Sequence, residues 1–172
     1  HGWRLFYPGI GVPPIEKLGR IGQGDRLPGL SENATPYNHG SNGFLGRAAW
    51  VAGKGNWLQD ILRYTFPYDQ KAHPINISKT APYGVVNIWR EVDGQNGQGG
   101  DTFLSGTIAT AMRNVYQGVI GFRPNINYLS IDPCVPSSWK NFSAKITFMG
   151  GQWEIKVRNP KGVELGVKSL TL

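Results

Sequence analysis

Apolar positions along the chain change period once, and the change divides it. From Ser41 to Val51, Phe44, Ala48, Trp50 and Val51 recur at helical spacing behind a cap at Ser41 or Asn42, and Gly53-Lys54-Gly55 ends the run. Leu58, Ile61, Leu62 and Tyr64 give a second helical face from Trp57 to Thr65, which Pro67 stops. A third helix is predicted from about Thr107 to Gln117, with Gly118 and Gly121 as candidate ends. Beyond Arg123-Pro124 the period becomes two. Ala144, Ile146 and Phe148 alternate with polar residues, Gly150-Gly151 turns the chain, and Trp153, Ile155 and Val157 alternate in return. Asn159-Pro160-Lys161-Gly162 then sets up a further strand over 163–172.

The remaining stretches are rich in breakers. Residues 1–40 carry so many Pro and Gly that only a short strand at Arg4 to Tyr7 is expected there. One extended segment, Tyr83 to Trp89, is marked by β-branched Val85, Val86 and Ile88. The fold class is therefore α+β, with a helical portion at 1–124 and a small antiparallel β domain at 125–172.

Composition narrows the function classes. With 172 residues, 40% hydrophobic, 12% aromatic and 17% charged, the chain builds a core rather than a disordered ensemble. The formal net charge of +7 points to an anionic partner. Its Lys and Arg residues are scattered singly, which argues against nucleic acid and for a small anion or a plain basic surface. A single cysteine, Cys134, excludes an internal disulfide and a cysteine zinc site, and the histidines lack metal-ligand spacing. No apolar run approaches the ~20 residues that span a bilayer, so no membrane partner is expected and the location is read as cytoplasmic.

Two loops carry candidate chemistry. The run Pro28 to Gly40 places Glu32, Asn33, Tyr37, Asn38 and His39 on an irregular backbone that opens onto a helix, as a ligand-binding loop or as a capping loop. The run 93–101 holds four glycines and delivers Ser105 and Gly106 to the start of the third helix. Backbone N–H groups without intrahelical partners make such a junction an oxyanion or phosphate cradle, although Ser105 serves equally well as a plain cap. His39 is a candidate second ligand to the same anion, through an imidazole N–H. No nucleophile stands out, and no carboxylates are paired as a general acid with its partner.

Four runs occur in order: Glu32-Asn33-Ala34-Thr35-Pro36-Tyr37-Asn38-His39-Gly40, Asp101-Thr102-Phe103-Leu104-Ser105-Gly106-Thr107, Gly118-Val119-Ile120-Gly121-Phe122-Arg123-Pro124, and Ile131-Asp132-Pro133-Cys134-Val135-Pro136 with Trp139. Together they resemble the C-terminal end of the inverting glycoside phosphorylases of the cellobiose and chitobiose phosphorylase family, glycoside hydrolase family 94. The resemblance implies the last helices of an (α/α)6 barrel followed by a small β domain. It implies phosphorolysis of a β-linked gluco-oligosaccharide, with inversion, to an α-sugar 1-phosphate. Inorganic phosphate is then a co-substrate, and no cofactor or metal is expected.

Carried over residue by residue, the family pattern makes His39, Ser105 and Gly106 the phosphate ligands, and Ser31, Glu32 and Asn87 sugar contacts. The family's general acid, an Asp, lies upstream of the region that aligns, so the catalytic acid is expected outside this chain, on the rest of the same polypeptide. Ser105 stands where Thr is usual and Phe103 where Trp is common. Ser31 and Asn87 replace the Lys and Gln of cellobiose-specific members, which leaves a longer β-glucan or an acidic disaccharide as open as cellobiose. A homodimer is expected by resemblance alone. Two other readings stand beside this one: a transglycosylase or hydrolase on the same barrel, of the cyclic β-1,2-glucan synthase type, and a non-catalytic carbohydrate-binding module.

Overall fold

A computed structural model describes residues 42–89, 97–100 and 105–172 of the chain. In order, these form α1 (Phe44–Val51), α2 (Gly55–Thr65), the single turn α3 (Ile75–Ser78), β1 (Ile88–Trp89), β2 (Gly99–Gly100) and α4 (Ser105–Arg113). Helix α4 continues into a π-helical segment, Asn114–Val119, before β3 (Phe122–Pro124), β4 (Leu129–Ile131), β5 (Asn141–Phe148) and β6 (Gly151–Arg158). The mixture of helices and small antiparallel sheets is that of an α+β chain. Among the described residues, no helix is long and apolar enough to cross a membrane.

The chain divides into two compact units, one holding residues up to Leu45 and Ile61–Met112, the other Gly46–Asp60 and Arg113–Leu172. In the first unit, α2 turns Ile61, Leu62 and Thr65 inward at the i, i+1, i+4 spacing of one helical face. Val85, Val86, Ile88 and Trp89 complete this core. Of the extended segment predicted over 83–89, only Ile88 and Trp89 pair as a strand, antiparallel to Gly100 and Gly99. The partner is part of the glycine-rich run. A Cβ at Gly99 would lie 2.5 Å from Thr80 Oγ1 and 2.6 Å from Val86 Cγ1, so the close approach of β2 requires glycine there.

The end of α2 is closed by rings. Trp89 Nε1 donates to the Tyr64 carbonyl at 2.5 Å, and His73 Nε2 lies 3.0 Å from the Arg63 carbonyl. A helix leaves its last carbonyls without intrahelical partners, and here side chains supply them. Arg63 in turn holds the Asp69 carboxylate at 2.6 Å, and Asp69 Oδ1 accepts from the Lys71 N–H in an Asx turn that leads to His73.

In the second unit, α1 ends as a Schellman turn: Gly53 has φ of 68°, Lys54 N donates to the Ala49 carbonyl, and Gly53 N donates to that of Trp50. The helix buries Gly46, Ala49 and Trp50 and leaves Phe44 and Val51 in solvent, so the apolar face read from the sequence is displaced by about one residue. Small residues allow close packing here. A Cβ at Gly118 would lie 2.6 Å from the Trp50 ring, and one at Gly46 would meet the Asn114 carboxamide. Trp50 Nε1 donates to Asn114 Oδ1 at 3.2 Å.

The predicted hairpin forms in full register, Asn141 opposite Arg158 through Phe148 opposite Gly151. Its turn is Met149-Gly150, both at positive φ, so Gly151 already belongs to the returning strand. The third strand expected over 163–172 does not form. The Asn159 side chain takes its place as organiser: Nδ2 donates to the carbonyls of Trp139 and Val163, and Oδ1 accepts from Val163 N. Val135 N then donates to the Glu164 carbonyl, which ties the following residues to the loop before β5 instead of to the hairpin edge.

Candidate functional site

The junction into α4 is where the first unit gathers its polar groups. Helix α4 begins at Ser105, so the N–H groups of Ser105, Gly106 and Thr107 have no intrahelical acceptor and point out of the helix start together with the positive end of its dipole. Beside this turn lies Asn87, 7% exposed, immediately before β1. Its backbone N–H donates to the Gly100 carbonyl at 3.1 Å, which fixes the residue against β2. Thr107 Oγ1, 1% exposed, donates to Asn87 Oδ1 at 2.5 Å. With its oxygen occupied, the carboxamide keeps its NH2, which has no partner among the described residues. The arrangement gathers donors at a helix N-terminus, the chemistry suited to an oxygen-rich or anionic ligand.

Of the residues singled out from the sequence, Asn87 and Gly106 are described in full, and Ser105 through its backbone, as the first residue of α4. Asn87 and the start of α4 come together through Thr107. Ser31, Glu32 and His39 lie outside the described residues. Thr107 itself was not legible as a site residue. The available signal is that α4 buries Thr107 and Ala111 rather than large apolar side chains, and a buried hydroxyl needs a partner.

The titratable groups of the described residues serve the fold. The hydrogen bond from Arg63 holds the Asp69 carboxyl below the usual carboxylate range, assisted by backbone N–H groups. Burial lowers His73 below the usual imidazole value against the opposing effect of its bond to the Arg63 carbonyl. Burial pushes the Cys134 thiol up to about 11, and at 0% exposure it behaves as a small apolar side chain. Among the described residues no group of three or more His, Cys, Asp or Glu is placed to hold a metal ion.

In the second unit, Arg123 ties a loop. Arg123 donates through Nε to the Gln117 carbonyl at 2.8 Å and through Nη2 to the Asp132 carbonyl at 2.9 Å, and its guanidinium lies 4.6 Å over the Trp50 ring. Cys134 N donates to the Gly118 carbonyl. The π-helical winding of Asn114–Val119 leaves carbonyls at Gln117 and Gly118 for these donors. A groove of about 530 Å³ beside Tyr116, Phe122, Lys145 and Phe148 belongs to this unit.

Comparison with known proteins gives the geometry a context. No protein-family model matches the chain. Solabiose phosphorylase from Paenibacillus borealis is 34% identical over 149 residues, 85% of this chain and 19% of that protein. N,N'-diacetylchitobiose phosphorylase from Vibrio proteolyticus is 32% identical over 179 residues, 100% of this chain and 21% of that protein. A cyclic beta-(1,2)-glucan synthase from Rhizobium meliloti matches more weakly, 28% over 134 residues, which are 76% of this chain and 5% of that protein. The chain thus spans about a fifth of the length of the phosphorylases it matches.

Proposed function

The chain is related to the C-terminal part of glycoside phosphorylases of the cellobiose and chitobiose type, and on that premise we propose that it contributes the phosphate site and part of the sugar site of such an enzyme. The observation that carries this reading is the match to proteins named as phosphorylases over 85% to 100% of the chain. The gathering of donors where Asn87 meets α4 supports it.

In this reading the whole polypeptide cleaves a β-linked gluco-oligosaccharide. An oxygen of inorganic phosphate attacks the anomeric carbon while a carboxylic acid, carried outside this chain, protonates the departing glycosidic oxygen as the C–O bond breaks. Attack from the opposite face leaves an α-sugar 1-phosphate. His39, Ser105 and Gly106 hold the phosphate, and Ser31, Glu32 and Asn87 face the sugar. Phosphate is already an anionic nucleophile, so the site has to position it and screen its charge rather than deprotonate it. The N-terminus of α4 suits that task. The enzyme works without a cofactor, in the cytoplasm and as a homodimer.

The anomeric configuration of the product tests the reading. Proton NMR of the first product formed by the complete polypeptide from a β-linked gluco-oligosaccharide and phosphate should show the α-sugar 1-phosphate. A β-sugar 1-phosphate would overturn inversion, and release of free sugar alone would overturn phosphorolysis.

A further inference from the structure

Asn87 poses a problem that its own position does not solve. A carboxamide presents an acceptor at one end and two donors at the other, and without a restraint a flip about its terminal torsion exchanges them. Beside a helix N-terminus the two orientations are not equivalent. The NH2 adds donors to a set of N–H groups, whereas the oxygen would repel a phosphate oxygen and could only accept from a sugar hydroxyl. Asn87 is 93% buried by its 7% exposure, so water does little to set the choice.

We propose that Thr107 is a positioning residue, which by donating to Asn87 Oδ1 locks the carboxamide with its NH2 turned to an oxygen of the substrate. Four observations carry this. The Thr107 hydroxyl is almost wholly buried and donates to Asn87 Oδ1. Thr107 sits in the first turn of α4, so its backbone and the carboxamide are fixed to the same helix start. The Asn87 backbone is held separately, by its N–H bond to Gly100, so the hydroxyl has only the side-chain torsions to restrain. The Asn87 NH2 lacks a partner among the described residues, although a group this buried ordinarily has one. In the phosphorylase reading Asn87 faces the sugar, so the substrate oxygen is that of a sugar hydroxyl, and phosphate at the helix start is the alternative acceptor that the kinetics distinguish. The inference rests on the phosphorylase reading.

The test uses the complete polypeptide and steady-state kinetics with phosphate and oligosaccharide varied in turn. T107V keeps the shape and removes the hydroxyl, and T107S restores it. For T107V, KM for one co-substrate should rise by roughly tenfold, the scale on which a single oriented hydrogen bond acts. T107S should return most of that loss. A rise for phosphate assigns the NH2 to the phosphate, and a rise for the sugar assigns it to a sugar hydroxyl. N87A combined with T107V should be no worse than N87A alone, because the hydroxyl acts only through the carboxamide. Unchanged KM for both co-substrates, a loss that T107S does not return, or additive effects in the double variant would each overturn the role. Wild-type protein that turns over sugar with no dependence on phosphate would instead overturn the phosphorylase reading, and this inference with it.

Discussion

The imidazole of His73 lies flat on the indole of Trp89, with ring centres 4.2 Å apart and planes within 5° of parallel. The two rings reach neighbouring carbonyls at the end of α2, those of Arg63 and Tyr64. A carbonyl only accepts, so Nε2 carries the proton in either charge state, and it is burial that favours the neutral ring. The stack and the helix end are therefore one structure, sensitive to the charge on His73.

This sets a pH dependence. The folded-state value of His73 lies below the ordinary 6.5, so the unfolded chain binds the proton more readily. The stabilising contribution is present above about pH 6.5 and falls away as the pH drops through the folded value. Chemical denaturation between pH 8 and pH 5 should show stability declining below pH 6.5. His73→Phe should cost about 1–2 kcal/mol at pH 8, from the orphaned Arg63 carbonyl, and should flatten that decline. An equally steep decline in the variant would assign the pH dependence to other groups.

Gly121 admits no side chain. Its φ is 73°, and a Cβ there would lie 2.1 Å from the Asp132 carbonyl carbon, a backbone atom that has nowhere to retreat. The Asp132 N–H also bonds the Gly121 carbonyl, so the two segments are held at that distance. Gly121→Ala should destabilise by more than about 2 kcal/mol, from backbone strain and the clash together. Thermal unfolding within 1–2 °C of wild type would contradict it.

Arg123 should tolerate neither loss nor conservative exchange. Its fork serves two main-chain carbonyls and its plane covers Trp50, tasks a lysine ammonium cannot combine. Arg123→Lys should cost about 1–3 kcal/mol. Asp132→Asn should cost less than about 1 kcal/mol, because the carboxylate stands 3.5 Å away at a partly exposed site while the stronger bond goes to the Asp132 carbonyl. Denaturant midpoints for the two variants measure the difference, and equal losses would mean that the ion pair dominates.

How much of this was readable in the sequence depended on whether a residue's environment was local. Leu58, Ile61 and Leu62 mark α2 by spacing alone, and the alternation around Ile146 and Ile155 marks the hairpin, since both patterns arise within one element. The strand expected over 163–172 fails because the nearby Asn159 side chain and the distant Val135 N–H claim backbone groups it would have used. The start of α4 was legible as a donor-rich junction from Gly99, Gly100, Ser105 and Gly106. The Thr107–Asn87 bond was not, because it joins residues 20 apart and neither hydropathy nor spacing records which hydroxyl meets which amide. His73 carried no sequence signal of its stack with Trp89 for the same reason.

In the proposed function, the complete polypeptide is a phosphorolytic enzyme. Release of sugar 1-phosphate from a panel of β-linked gluco-oligosaccharides, measured on the complete polypeptide with and without inorganic phosphate, tests it most directly. The expected result is product only when phosphate is present, lost in His39→Ala. Free sugar released at the same rate without phosphate would contradict the account and place the enzyme among hydrolases or transglycosylases.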